Sequence, residues 1–450
     1  MQDARDILIA QQAEQLKAQA AEIVFLKARI EELEAKLNAP KKTSKNSHQP
    51  PSRDQKGNNR GEGNKGNAQR QGSLGRKGGG RALAKDPDEI ISSKAKICCY
   101  CHRPFGEADH KLHIRYDKID LPEVEPFVTR VERYESFCTC CQKITIAPAP
   151  RGMEEGSPFS SNITARAVYL RIVHAISYNR LSRIFGDLFK LGISEGALDG
   201  MFRRAKPRVD ESIVPILARL RQSQRIYSDE TGIRVDGKGN WNWTFQNEEV
   251  ELHVIRPSRS RAVPREILDG HRPAIWVADL YSSQQGHADK MQICLAHQLR
   301  DCQHAIEAGD TIFAPLMKRL FLRAFITARR RGKLSDEKRE QAFQRLKQRL
   351  ELIMLKVPEN RNGLRLKKRY KKHGGSLFTF MKYPEITPDN NSSERALRPI
   401  ATYRKVTNGF RSRWGADFYA GIRSLIGTAA RQGIQPFEAI KLTLAGNTLF

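Results

Sequence analysis

Near the start of the chain, apolar side chains return at every seventh position. Ile9, Leu16, Ile23, Ile30 and Leu37 form one seam, and Leu26 and Leu33 form a second in the later heptads. This spacing predicts one helix over residues 3–38. Because it is strict, it favours a coiled coil over an ordinary amphipathic helix. Gln12 and Gln19 take the second seam earlier, which weakens the amino-terminal half, while Glu31, Glu32, Glu34 and Lys36 flank the seam and favour self-association. Over 39–87 the pattern stops. Between Lys41 and Lys85 there are twelve basic residues against Asp54 and Glu62. Such a stretch cannot bury enough surface to offset its chain entropy, so a disordered basic linker is expected, serving as tether, phosphate contact or both.

A helical period governs 160–222. Ala167, Leu170, Ile172, Val173 and Ile176 suit one helix, and Leu181, Ile184, Phe185, Leu188 and Phe189 a second; Ser194 caps a third, with Glu195 in its first turn. The turn between the last two is compatible with helix-turn-helix DNA binding, with Arg203 and Arg204 near phosphate, and equally with plain packing. After residue 224 the period changes to that of strands. Ile226–Val235 runs into the hairpin signal Asp236-Gly237; Trp241, Trp243 and Phe245 share one face of a second strand, and Leu252–Ile255 makes a third. A helix near Val263–Leu268 and a strand over Ala274–Asp279 follow. Three antiparallel strands, a helix and another strand resemble the opening of an RNase H-like fold, which sets 223–300 as the first part of a core. Helical patterns at Phe313–Arg330, Asp336–Leu355 and the basic run Arg365–Lys372 read as an insertion over 301–385, the basic run being either a DNA contact or a solvated face. The core resumes over 386–412, and 413–450 is a helical carboxy-terminal segment.

The eight cysteines fall in tight groups. Cys98-x-x-Cys101 and Cys138-x-x-Cys141 are two pairs of the kind that present thiolates to one tetrahedral zinc ion, with Cys99, Cys140 and His102 as possible substitutes. A zinc ribbon over 88–150 is therefore expected, with a hairpin over Ile119–Glu135 between the pairs. Such a closed site is structural and leaves no position for chemistry.

Composition narrows the class. The chain has 450 residues, 39% of them hydrophobic, enough for a sizeable core, so wholesale disorder is excluded. Its net charge of +28 points to a polyanion, and nucleic acid is the usual one. No apolar run has the length of a membrane span, and clustered cysteines do not suit a secreted disulfide framework, so a cytoplasmic protein associated with the bacterial nucleoid and no membrane is expected.

Two acids, Asp229 and Asp279, interrupt otherwise apolar strands. A carboxylate near a core is costly unless it meets a cation or a donor; either acid alone would be a strand-end cap, but on neighbouring strands both could reach one divalent metal. Glu394 follows the capping residues Asp389, Asn390 and Asn391 at a helix start, with Arg398 one turn later. Phosphoryl transfer with paired magnesium ions uses such hard oxygen donors.

These features together resemble a bacterial insertion-sequence transposase of the DDE superfamily, of the insertion-sequence sixty-six family. The resemblance spans nearly the whole chain: the zipper, Gln49-Pro50-Pro51-Ser52, the cysteine pairs, Ile176-Ser177-Tyr178, Leu191–Gly196, Ser228–Thr231, Val254–Ser260, Cys294-x-x-His297 and Asn390-Asn391-x-x-Glu394-Arg395-x-x-Arg398-Pro399. It implies that Asp229, Asp279 and Glu394 are catalytic acids holding two magnesium ions, that Arg395, Arg398, Arg404 and Lys405 contact DNA, and that the partners are element ends (terminal inverted repeats), target DNA, a second copy of the chain and accessory proteins of the element. A catalytically inactive DNA-binding regulator derived from such an enzyme is the alternative. Leu280-Tyr281-Ser282-Ser283 departs from the family, where an aromatic and glycines are usual. Cys294 and His297 are either half a zinc site or, as their isolation favours, a buried pair.

Overall fold

The computed structural model describes residues 2–37, 40, 42, 43, 46 and 81–450; of the basic linker expected over 39–87, residues 39–80 otherwise lie outside the described residues. Two compact units are present. Of the described residues, the smaller holds 81–127 and 188–191, and the larger holds the rest.

Helix α1, Gln2–Leu37, occupies the expected span. Leu16, Ile23, Leu26, Ile30 and Leu33 of its seam are all at least half exposed. In the smaller unit, the Cys98–Cys101 turn is closed by hydrogen bonds from Cys98 N to the Arg103 carbonyl (2.9 Å) and from His102 N to the Cys98 carbonyl (3.0 Å). In the larger unit the same turn recurs at Cys138–Cys141, inside a hairpin of β1, Glu135–Phe137, and β2, Ile144–Ile146. The expected hairpin over 119–135 is thus misplaced: residues 119–134 carry no strand. Pro122 and Pro126 interrupt that run and cannot donate to a ladder, so its valines do not pair.

Helix α2, Ser161–Val168, passes into a wider turn at Tyr169–Val173, so Ile176 falls outside it. Helices α3, Tyr178–Phe189, and α4, Glu195–Leu220, follow, with Ser194 capping α4 through the Ala197 amide at 3.1 Å. Helix α4 runs far beyond a recognition helix and buries Leu198, Met201, Phe202, Val209, Ile216 and Leu220. Arg203 pairs with Asp199 at 2.7 Å and lies over Trp414 at 4.2 Å.

A five-stranded mixed sheet holds β3, Arg225–Val235, β4, Lys238–Gln246, β5, Glu251–Arg256, β6, Ile275–Ala278, and β7, Lys290–Ile293. Its order is β5-β4-β3-β6-β7, antiparallel from β5 through β3 and parallel from β3 through β7. Helix α5, Ala262–Leu268, makes the crossover to β6. Side chains alternate along each strand, so the sheet feeds two cores. Trp243, Phe245, Trp276 and Leu252 pack with Ile216, Leu220 and Ile267 on one side. Val277 and Ile293 join Phe313, Met317, Phe321, Leu366, Tyr370 and Phe380 on the other. That second core unites α6, Leu295–Glu307, α7, Phe313–Arg330, α8, Asp336–Met354, α9, Arg361–His373, and α10, Thr379–Lys382. Helix α9 turns Leu366 and Tyr370 inward and exposes Arg365, Lys368, Lys371 and Lys372. Arg369 departs from that exposed face and pairs with Asp301.

Helix α11, Asn391–Thr407, then returns to the sheet, followed by α12, Arg413–Arg431, against β5 and α13, Pro436–Leu444. Among the described residues, no helix is long and apolar enough to cross a membrane.

Candidate active site

The parallel pairing of β3 with β6 matches Arg225 to Ile275, Ile226 to Trp276 and Tyr227 to Val277. Carried on by two residues, the same offset sets Asp279, just past the end of β6, level with Asp229, inside β3, on adjacent strands about 4.8 Å apart. Both side chains therefore leave the sheet on one face. Asp279 Oδ1 accepts from the Tyr281 amide at 2.9 Å, which fixes the carboxylate at the strand end.

Glu394 comes from the first turns of α11. Three contacts place that helix start: Asn390, fully buried, donates from Nδ2 to the Ser228 carbonyl at 2.8 Å, Ser393 Oγ accepts from Gln246 Nε2 at 2.8 Å, and the Pro388 carbonyl accepts from Leu295 N at 2.9 Å. Asp229, Asp279 and Glu394 share one electrostatic field. Burial pushes the Asp229 carboxyl well above the usual range, and the negative charges of Glu230, Asp279 and Glu394 push it further in the same direction. A buried carboxyl raised in this way, with two further carboxylates beside it, belongs to a donor set that a divalent cation would satisfy.

Glu394 does not turn to Arg398. Its Oε1 lies 3.4 Å from His297 Nε2 and its Oε2 3.8 Å from Arg300 Nη2, both on α6. The Cys294 sulfur accepts from the Asn390 amide at 3.2 Å, and burial pushes its thiol up to about 12. Arg395, Arg398 and Lys405 are exposed on α11. Arg404 is half-buried, and its guanidinium donates to the Gly232 carbonyl of β3.

On the opposite face of β3, Glu230 is buried beside Arg259, whose Nε donates to Oε1 at 2.8 Å, and Gln284, which donates to Oε2. Arg259 stacks over Tyr281 at 3.6 Å and Trp241 at 4.5 Å, and Gln284 Oε1 accepts from Trp276 Nε1 at 3.0 Å. This chain of contacts secures the loop that carries Asp279. Tyr281, the departure noted in the sequence, is the ring beneath Arg259. Sequence reasoning missed the roles of Glu230, Arg259, Gln284 and Arg300; adjacent acids on one strand must face opposite sides, and that alternation was the available signal for Glu230.

The two cysteine turns are local replicas. His102 and Gln142 both take left-handed backbone, with φ of +58° and +56°. Backbone N–H groups of Cys101 and Tyr100 hold the Cys98 thiol below its usual range, and those of Cys141 and Cys140 do the same for Cys138. Donors aimed at a sulfur favour its thiolate, the form that binds metal.

A family model described as the transposase IS66 family matches residues 156–418. An uncharacterized protein, y4jD of Sinorhizobium fredii (strain NBRC 101917 / NGR234), is 21% identical over 403 residues, covering 80% of this chain and 77% of that protein. The family match takes in both aspartates, the segment with Glu394 and every strand of the mixed sheet, and on that extent the chain belongs to the transposase IS66 family.

Proposed function

We propose that the chain is a DDE-type transposase on an RNase H-like core, cleaving DNA at element ends and joining the exposed 3′ hydroxyl to target DNA. The observation that carries this reading is the β3–β6 register, which sets Asp279 level with Asp229, with Glu394 near enough to raise the Asp229 carboxyl. The strand order, three antiparallel strands followed by two parallel ones, supports the fold assignment.

In this reading Asp229, Asp279 and Glu394 offer hard oxygens to two magnesium ions. Bound there, such ions supply Lewis acidity to a phosphodiester and activate the attacking oxygen. Arg395, Arg398 and Lys405 bind the phosphate backbone from α11, and Arg404 acts beside them by bracing β3. The exposed seam of α1 is suited to a second copy of the chain, so that two element ends are held together. Each cysteine turn supplies two ligands toward structural zinc.

The test is Asp229→Asn. Magnesium-dependent cleavage of DNA carrying the element's ends falls to background while binding of those ends is retained; undiminished cleavage would remove this carboxylate from the mechanism. A wild-type chain that binds ends yet cleaves nothing in magnesium would instead identify an inactive regulator derived from such an enzyme.

A further inference from the structure

The Cys294-x-x-His297 pair lacked further ligands in the sequence, and the structure brings a third donor to it. Cys294 Sγ, one ring nitrogen of His297 and one carboxylate oxygen of Glu394 lie within 4.8 Å of one another. Cys302, farther along α6, is occupied otherwise, since its Sγ faces the Tyr370 hydroxyl at 3.6 Å. We propose that Cys294, His297 and Glu394 form a binding site for a borderline divalent cation of the zinc class.

Three observations carry this. The first is spacing. His297 Nε2 and Glu394 Oε1 are 3.4 Å apart. That is longer than a well-formed hydrogen bond of about 2.7–3.2 Å. It equals the edge of a tetrahedron whose metal–ligand bonds are about 2.0–2.1 Å, an edge of ~3.4 Å. The second is donor chemistry. One sulfur, one imidazole nitrogen and one carboxylate oxygen suit zinc or cobalt, whereas magnesium takes oxygen almost alone. Three protein ligands also leave a fourth position open.

The third observation is that the ligands are held from outside. Cys294 and His297 are one turn apart at the start of α6, whose first amide, Leu295 N, is bonded to the Pro388 carbonyl at 2.9 Å. The Asn390 amide meets the Cys294 sulfur at 3.2 Å, and the Glu394 amide bonds back to the Asn390 carbonyl at 3.2 Å. Arg300 stands by Oε2 of Glu394 and leaves Oε1 for the ion. Contacts of this kind orient ligands around a metal before it arrives. The site goes beyond the strand-cleavage reading, with which it shares only Glu394.

Full-length chain is loaded with zinc, freed of excess by gel filtration, and assayed for zinc per chain by elemental analysis. Cys294→Ser and His297→Asn each lose one equivalent relative to wild type, and Asp229→Asn loses none. Equal zinc in wild type, Cys294→Ser and His297→Asn would overturn the proposal. X-ray absorption on the zinc-loaded wild type needs no variant. It should show nitrogen or oxygen scatterers at about 2.0 Å beside sulfur at about 2.3 Å, and sulfur alone would overturn the proposal. Zinc content and DNA cleavage are separate readouts, so a chain that cleaves nothing yet loses its equivalent on Cys294→Ser supports the metal site and overturns only the cleavage reading.

Discussion

Asn390 Nδ2 donates to the carbonyl of Ser228 at 2.8 Å, and this contact docks the start of α11 one residue before Asp229. Asn390 is fully buried and its amide also meets the Cys294 sulfur, so one residue ties β3, α6 and α11 together. Asn390→Ala leaves the Ser228 carbonyl without its side-chain donor, at a cost of about 1–3 kcal/mol. Thermal unfolding should fall accordingly. Cleavage should fall much further than end binding, because Glu394 loses its anchor four residues along the helix.

Asp229 sits in a conflict between stability and chemistry. Its carboxyl is raised by burial and by the charges of Glu230, Asp279 and Glu394. The folded state therefore holds this proton more tightly than the unfolded chain, and folding loses stability as pH rises above the unfolded value of about 3.9. In metal-free protein at neutral pH, Asp229→Asn should raise the melting temperature while eliminating cleavage. Magnesium or manganese should raise the melting temperature of the wild type and change that of the variant much less. A variant less stable than the wild type without metal would contradict this reading.

What could be read from the sequence, and what could not, follows from chain separation. The strands β3, β4 and β5 were legible because a period of two, aromatic β-formers and Asp236-Gly237 act within a few residues. Helices α7 and α8 were legible from their 3.6-residue period. Strand β7, only Lys290–Ile293, is too short to show a period and forms because β6 supplies its ladder. The cysteine turns are legible from their spacing, but the hairpin lies later than the valines before it suggest, because Pro122 and Pro126 bar that run from a ladder. Asp229, Asp279 and Glu394 could be chosen by type and setting. The pairing of Glu394 with His297 and Arg300 in place of Arg398 could not, because α6 and α11 meet only through the fold.

The cysteine turns give a prediction about zinc. In each, the first cysteine sulfur receives backbone N–H groups from the second and third residues after it, which lowers its thiol. In the proposed zinc reading Cys98 and Cys138 are the ligands, and Cys99 is exposed beside the turn. Cys98→Ser and Cys138→Ser should each release zinc from the full-length chain, whereas Cys99→Ser should keep the wild-type content. Retention by Cys98→Ser with loss by Cys99→Ser would reassign the ligand within that turn.

Behind the sheet, acid sensitivity is built into Glu251, His253 and Arg431. Glu251 Oε2 meets Arg431 Nη1 at 2.7 Å, and its Oε1 meets His253 Nε2 at 2.9 Å. Burial works to raise the Glu251 carboxyl, but His253 and Arg431 outweigh it and hold the value at about 2. Burial lowers His253 more than Glu251 raises it. The ring is therefore neutral at neutral pH, with Nδ1 facing Asn242 Nδ2 at 3.3 Å and Nε2–H donating to Glu251. Arg431 is then the charge that keeps Glu251 ionised there. The signs agree for both groups, since each binds its proton less readily folded than unfolded. His253 costs stability as pH falls below about 6.5, and Glu251 adds a further loss as pH falls from about 4.3 toward about 2. Glu251→Gln should flatten the acid limb of a stability–pH profile measured by denaturant unfolding. Arg431→Met leaves a buried carboxylate without its cation and should cost about 3–5 kcal/mol at neutral pH. Combining it with Glu251→Gln should recover part of that loss, because the uncompensated charge is then gone.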